Sequence, residues 1–92
     1  MSETSFEWDE NKNLLNQKKH NLSFEEAQYA FFDNKRIIAE DLEHSKTEKR
    51  YFCFGKVKSE VITVRFVYRD DKIRIFGAGH WRKGKKIYEK NN

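Results

Sequence analysis

Several side chains between His44 and Tyr88 could perform phosphodiester chemistry. RNA can be cleaved without a metal when its 2′-hydroxyl attacks the adjacent phosphorus, provided that protons are moved and the charge of the phosphorane is stabilised. Histidine or tyrosine can move protons, and arginine, which stays protonated, grips phosphate oxygens through two donors. The candidates for catalysis are His44, Arg50, Arg65, Arg74, His80 and Tyr88. The candidates for binding the RNA backbone are Arg82, Lys83, Lys85 and Lys86.

Each candidate also has a purely structural interpretation. His44 lies in the polar loop 41–45, and loops between strands often carry catalytic groups, whereas Arg50 could simply pair with a carboxylate at the sheet edge. Arg65 and Arg74 interrupt apolar strands and must face solvent, a ligand or a partner, so they are the strongest candidates. Tyr88 could equally belong to the core.

Signatures of other enzyme classes are missing from the sequence. It has no P-loop, no dinucleotide-binding fingerprint, no nucleophile elbow and no pair of histidines at metal-binding helical spacing. The single cysteine, Cys53, excludes an intramolecular disulfide and a thiolate metal cluster, and its apolar neighbours predict a small buried residue. We therefore expect no cofactor and no metal.

Length and charge limit the architecture and the partners. Ninety-two residues allow one domain, spanning 1–92, with one modest core. The net charge is +4, and basic residues outnumber acidic ones from Tyr68 to the end, which favours a polyanion such as RNA or an acidic protein. The sequence has no signal peptide and no apolar run of membrane-spanning length, so we expect a cytoplasmic protein without a membrane partner.

The elements that must position these residues follow from local signals. Asp9 can cap a first helix running to about Lys19, and Asn21 suits a left-handed stop. Ser23 and Glu26 have the spacing of a capping box, which predicts a second helix that ends near residues 33–34.

Four strands and a last helix complete the prediction. Apolar runs predict strands at 36–40, 51–57, 61–68 and 72–78, the last three joined by short polar turns, and a closing helix is predicted at about 81–90. The alternation puts Arg65 opposite to Ile62, Val64 and Phe66, and Arg74 with Phe76 opposite to the isoleucines. We therefore expect an α+β fold in which two N-terminal helices pack on a four-stranded, mostly antiparallel sheet. The other face would be open, bear arginines and be bordered by the C-terminal helix.

Five segments resemble the BrnT family of bacterial toxins. They are FEWDENK at 6–12, NQKKHNLSFEEA at 16–27, DLEHS at 41–45, EKR at 48–50 and IRI at 73–75. The resemblance covers nearly the whole chain. It implies a ribonuclease with a RelE-like fold, neutralised by a BrnA-like antitoxin that also binds operator DNA, so that this chain would reach DNA only through the antitoxin. The active face would draw on His44, Arg50, Arg65, Arg74 and residues of the last helix.

One segment departs from the family pattern. Where the family generally has Arg-Ile-Ile-Ser-Ala-Arg, residues 74–79 read RIFGAG, so the serine and the second arginine are replaced by Gly77 and Gly79. We hypothesise that His80 or Arg82 takes over the role of the missing arginine, because the chain beyond Gly79 remains basic.

Two other functional classes fit the same residues. The arginines and lysines would equally support a nucleic-acid-binding module without catalysis. They would also support an inactive interaction protein whose basic face only holds an acidic partner. Cleavage products with 2′,3′-cyclic phosphate ends would separate the enzyme from both.

Overall fold

The computed structural model describes residues 5–92. Its strands are β1 (Ser5–Trp8), β2 (Ile37–Glu40), β3 (Tyr51–Val57), β4 (Glu60–Arg69) and β5 (Lys72–Gly79). Its α-helices are α1 (Glu10–His20), α2 (Phe24–Ala27) and α3 (Arg82–Lys90). Two 3₁₀ helices, Gln28–Phe32 and Leu42–His44, complete the fold.

The sheet has five strands in the order β1-β5-β4-β3-β2, all antiparallel except that β1 runs parallel to β5. The predicted α+β class and the mostly antiparallel sheet are confirmed, whereas the predicted number of four strands is wrong. The missed strand is β1, where Phe6 pairs with Ile73. Four residues directly before a helix cap are too short to show a strand period, and only the distant edge of β5 makes them a strand.

The local stop and start signals act as predicted. The Asp9 carboxylate accepts a hydrogen bond from the backbone amide of Asn11 at 2.8 Å and so caps α1. Asn21 ends α1 with φ 52°. Ser23 and Glu26 form the reciprocal capping box at the start of α2. These contacts lie within three residues along the chain, which is why the sequence alone predicts them.

The second helix differs from the expectation. Only Phe24–Ala27 is α-helical, and the chain continues as the 3₁₀ helix Gln28–Phe32. This segment lies directly on β3, because a Cβ atom added to Gly55 would overlap the carbonyl oxygen of Ala30. The tighter 3₁₀ winding brings Ala30 and Phe31 side by side against the sheet.

Helices cover both faces of the sheet. On one face, which we call the inner face, the α2 segment packs on the main core, formed by Cys53, Ile62, Val64, Phe66 and Ile75 among others. On the opposite face, α3 packs through Tyr88 and Ile87 on Phe54 and Val61. The structure thus corrects the expectation that the C-terminal helix only borders this second face. The part that α3 leaves uncovered carries the arginines, and we call it the arginine face.

Helix α1 is docked by asparagines and not by leucines. Asn13 and Asn16 are buried, whereas Leu14 and Leu15 are each 56% exposed. The Asn16 side-chain amide donates to the carbonyl oxygens of Leu22 and Ala78 and accepts from the Ala78 amide, at 2.9, 2.9 and 3.2 Å. Asn16 therefore continues the pairing of β5 at the edge where β1 has ended. No apolar periodicity announces this contact, so sequence reasoning missed it.

We expect Asn16→Ala to lower the free energy of unfolding by about 2 kcal/mol, because three buried backbone groups lose their partners. Chemical denaturation of the purified protein measures the change. Asn11→Ala, at an exposed position of the same helix, is the matched control and should change stability by less than about 0.5 kcal/mol. Equal effects of the two substitutions would contradict the docking role of Asn16.

Candidate functional site

Three strands bring arginines to the arginine face. Arg50 directly precedes β3, Arg65 lies in β4 opposite Phe52, and Arg74 lies in β5 opposite Val67. All three arginines are partly exposed. The predicted alternation is therefore confirmed for Arg65 and Arg74, whose side chains lie opposite to the main core. Arg50 joins them because β3 pairs with β4 and carries it to the same end of the sheet.

A β-bulge puts an aromatic ring among these arginines. Across β4 and β5, Phe66 pairs with Ile75 but Arg65 pairs with Gly77, so Phe76 is the extra residue. The guanidinium carbon of Arg50 lies 5.2 Å and that of Arg65 5.0 Å from the centroid of the Phe76 ring. Bulges commonly re-aim a side chain next to a functional site. The alternation of the strand predicts the side of the sheet for Phe76, but neither the bulge nor these contacts leave a signal in the sequence.

A fourth arginine, Arg69, is the last residue of β4, and two of the four are paired with carboxylates. Arg74 lies 3.2 Å from Glu7, and Arg69 lies 2.9 Å from Glu48. Within residues 5–92, neither Arg50 nor Arg65 has a carboxylate oxygen within 4.0 Å. The alternative interpretation, in which Arg50 pairs with a carboxylate at the sheet edge, is therefore not found among these residues. Among the described residues, Arg50 and Arg65 are therefore the arginines of this face that have no carboxylate partner.

Several of these residues line one groove, which we call the arginine groove, and Arg65 contacts it through Phe76. Its lining residues are Lys12, Glu48, Arg50, Val67, Arg69, Arg74 and Phe76. The groove combines several cations with one aromatic ring and a valine floor. Such a surface suits a phosphate group with an attached base, because arginine binds phosphate oxygens and an aromatic ring can contact a base.

His44 lies on the loop that leads into Arg50. Its Nδ1 atom is 2.9 Å from a carboxylate oxygen of Asp41, which is buried, whereas the His44 side chain is 52% exposed. The Asp41 amide donates to the Arg50 carbonyl at 2.7 Å, and the Ser45 hydroxyl accepts from the Arg50 amide at 2.9 Å, so the two ends of the loop are tied together. Asp41 thus orients the imidazole, whose Nε2 makes no hydrogen bond within residues 5–92.

Two further features of the described residues bear on metal and nucleophile chemistry. The carboxylates of Asp41 and Glu43 and the imidazole of His44 have ligand atoms within 4.8 Å of one another and could together hold a metal ion. Burial raises the pKa of Cys53 to about 12, so its thiol stays protonated at neutral pH and is neither a thiolate ligand nor a nucleophile.

The remaining basic candidates lie elsewhere. His80 Nε2 is 2.9 Å from a carboxylate oxygen of Glu60, and His80 lines a second groove with Arg82 and Lys85 that shares no lining residue with the arginine groove. Lys83 and Lys86 are exposed on α3. The structure therefore brings together Arg50, Arg65 and Arg74 but not His80 or the lysines of α3.

Tyr88 is held inside the fold. Its side chain is buried between α3 and the sheet, and its hydroxyl donates to a carboxylate oxygen of Asp33 at 2.6 Å. This hydrogen bond and burial raise the pKa of Tyr88 to about 12. Burial alone would raise the pKa of Asp33, but the Tyr88 hydroxyl and the backbone amides of Lys35 and Lys56 outweigh it and lower that pKa below its ordinary value. Tyr88 lies outside the arginine groove, and the contacts indicate a packing role.

We expect Tyr88→Phe to leave RNA cleavage unchanged and to lower the free energy of unfolding at pH 7 by about 1.5 kcal/mol, because a charge-assisted hydrogen bond is lost. Since the folded-state pKa of Asp33 is depressed, this stabilisation is present above its ordinary pKa and disappears as the pH falls through the lowered value. Denaturant titrations of both proteins across this pH range measure the difference. Tyr29→Phe, at a 58% exposed tyrosine, is the control and should change neither quantity.

The fold and the groove together define a class of protein. It is a small, basic α+β protein with an arginine-bearing sheet face, and within residues 5–92 no helix is long and apolar enough to cross a membrane. A family model described as "Ribonuclease toxin, BrnT, of type II toxin-antitoxin system" matches residues 8–84. The chain therefore belongs to the BrnT family of ribonuclease toxins of type II toxin–antitoxin systems. A search of curated proteins found no match.

Proposed function

We propose that this chain is itself an active endoribonuclease that needs no metal, and that it inhibits growth by cutting RNA in the cytoplasm. The observation that carries the proposal is the pair of guanidiniums of Arg50 and Arg65, which share one aromatic ring and have no carboxylate partner among residues 5–92. Two fixed, unneutralised bidentate donors on an open sheet face match the charge of a scissile phosphate.

The proposed reaction is transesterification within the RNA. The 2′-oxygen loses its proton and attacks the adjacent phosphorus, the bond to the 5′-oxygen breaks, and that oxygen takes up a proton. The products are a 2′,3′-cyclic phosphate and a 5′-hydroxyl end. Arg50 and Arg65 would stabilise the phosphorane, with Arg74 as a third cation that Glu7 holds in position.

His44 is the proposed proton carrier. Its Nδ1 is occupied by Asp41, so the tautomer with a free Nε2 is favoured, which is the arrangement of a general base. The loop that bears His44 ends at Arg50, whose backbone is hydrogen-bonded to the Asp41 amide and the Ser45 hydroxyl on either side of His44. Asp41 would act by orienting the imidazole.

Flanking RNA would be bound by the basic end of the molecule. Arg82 and Lys85 line the second groove, and Lys83 and Lys86 are exposed beside it on α3. Neutralising backbone phosphates away from the cleaved bond increases affinity without base specificity. His80 follows Gly79 directly and Arg82 follows Trp81, and we propose that His80 or Arg82 takes over the role of the arginine that the family generally has where Gly79 stands.

The partner of this chain is an antitoxin, since the family belongs to type II toxin–antitoxin systems. We propose a BrnA-like antitoxin that covers the arginine face and is itself the part that binds operator DNA. Unneutralised arginines attract an acidic segment, and covering them would block RNA entry. We further propose that the sheet with its packed helices is a RelE-like fold.

A second candidate is RNA binding without cleavage. It is favoured by one observation: the residues that line the arginine groove include arginines and a lysine but no histidine. In that case the groove would hold RNA while no group moved the protons.

One assay separates these functions. Purified protein is incubated with a fluorescently labelled RNA in the presence of EDTA, and both the cleavage and the chemistry of the new ends are determined. Cleavage with 2′,3′-cyclic phosphate ends supports the proposal. Retarded but intact RNA would indicate the binding module, and cleavage that EDTA abolishes would indicate a metal site such as the Asp41, Glu43 and His44 group.

A further inference from the structure

We propose that Phe76 is a positioning residue that holds the guanidiniums of Arg50 and Arg65 together as one phosphate-binding pair. The inference rests on the proposed ribonuclease function and names a residue to which sequence analysis assigned no role. Both guanidinium carbons lie over the Phe76 ring, at 5.2 and 5.0 Å from its centroid. At this distance a cation is attracted to the electron-rich face of the ring.

The attraction of both cations to the ring offsets the repulsion between the two guanidiniums. Two guanidiniums that contact the same ring repel each other. Within residues 5–92 no carboxylate lies within 4.0 Å of either of them. An aromatic ring attracts both cations without cancelling their charge, as a carboxylate would do. The two side chains therefore stay near each other and remain fully charged for an incoming phosphate.

The β-bulge supplies the geometry. Phe76 is the unpaired residue between the Ile75–Phe66 and Gly77–Arg65 pairs, so its ring projects to the arginine face beside Arg65. Gly77 lies beneath the aliphatic stem of Arg65, since a Cβ atom at residue 77 would be 3.5 Å from Arg65 Cδ. Arg50 reaches the same ring from β3, across the β4 strand between them. Arg65 of β4 and Arg50, the residue before β3, thus both contact one side chain of β5.

When the ring already holds the two arginine side chains in place, less conformational entropy is lost as the transition state forms. Each arginine otherwise loses the freedom of a long side chain on binding phosphate. Loss of the ring should therefore reduce kcat more than it raises KM, because the pair acts most strongly on the phosphorane.

The test compares Phe76→Leu with Phe76→Tyr. Leucine keeps an apolar side chain but has no ring, so we expect kcat to fall about tenfold with little change in KM. Tyrosine keeps the ring and should restore most of the activity. Phe52→Leu is the matched control on the same face: Phe52 stacks on Phe54 at 5.7 Å, and no guanidinium of the described residues lies over its ring.

A second readout does not depend on cleavage. In the wild type, the Nε–H resonances of Arg50 and Arg65 should be shifted upfield by the ring current of Phe76, and Phe76→Leu should abolish the shift. Titration with inorganic phosphate should move both resonances together and show weaker binding to Phe76→Leu than to the wild type.

The outcomes distinguish the two proposals. If the wild type cleaves no RNA but the ring-current shifts and the weaker phosphate binding of Phe76→Leu are observed, the ribonuclease function fails and the positioning role stands. If RNA is cleaved but Phe76→Leu is as active as the wild type, or Phe76→Tyr is as impaired as Phe76→Leu, the positioning role is excluded. Absence of the upfield shifts in the wild type would also overturn it.

Discussion

Replacing Arg50 and Arg65 together by alanine should reduce RNA cleavage about a thousandfold and abolish growth arrest on induced expression. The removal of one preorganised charge-stabilising donor typically costs a factor of about 10² to 10³. The other two arginines that line the groove, Arg69 and Arg74, are paired with carboxylates and so do not replace the lost pair. The fold should survive, because both side chains lie on the partly open face and neither contributes to the main core.

Cleavage of a labelled RNA and growth after induction measure this effect, with circular dichroism to verify folding. Lys18→Ala/Lys19→Ala removes the same charge from an exposed part of α1 and should leave cleavage unchanged. Arg50→Lys/Arg65→Lys keeps the charge but loses the bidentate geometry, and we expect intermediate activity. Full activity of a folded Arg50→Ala/Arg65→Ala protein would show that the catalytic site lies elsewhere.

Gly84→Ala should lower the free energy of unfolding by about 3 kcal/mol. In an exposed helix, alanine would stabilise by about 1 kcal/mol over glycine, but Gly84 is where α3 touches the sheet. An added Cβ atom would overlap the hydroxyl oxygen of Thr63 and lie 3.0 Å from the Phe54 ring. Because both neighbours belong to the sheet, α3 must move away and expose Tyr88 and Phe54.

Thermal or denaturant unfolding measures this loss, and two further variants sharpen it. Gly77→Ala is the control, because its Cβ atom would make only an ordinary 3.5 Å contact with Arg65. Thr63→Ala/Gly84→Ala should recover part of the loss, since the overlapping hydroxyl is removed, and that hydroxyl has no hydrogen-bond partner within residues 5–92. If Gly84→Ala is as stable as the wild type, α3 does not dock through this contact.

Local features of the sequence predicted much of what surrounds the site. The Asp9 cap, the Asn21 stop and the Ser23–Glu26 capping box are contacts between near neighbours along the chain. The alternation in the third and fourth predicted strands also assigned Arg65 and Arg74 to the face opposite the main core, because apolar side chains of period two must be buried on one side. The polar turns that join β3 to β4 and β4 to β5 are also local features. Their two residues, Lys58 and Ser59 in one turn and Asp70 and Asp71 in the other, all have positive φ.

Other features depend on residues that are distant in sequence. Neither the β1 strand nor the docking of α1 through Asn16 leaves a periodic signal, because each is defined by the free edge of β5. The face on which α3 packs was predicted incompletely, because the decisive contact is a glycine against Thr63 in another strand.

Some features of the site follow from the sequence alone, and others follow only from the tertiary structure. The sequence by itself determined that arginines stand in β-strands and project away from the core, since one residue's neighbours in its own strand decide this. Only the tertiary structure decided which arginines are neutralised: Glu7 reaches Arg74 from β1, whereas Arg50 and Arg65 meet at Phe76. The physical reason is the distance along the sequence between the residues that interact. Side-chain alternation is a property of a single strand, but charge pairing and the bulge depend on how strands are registered against one another.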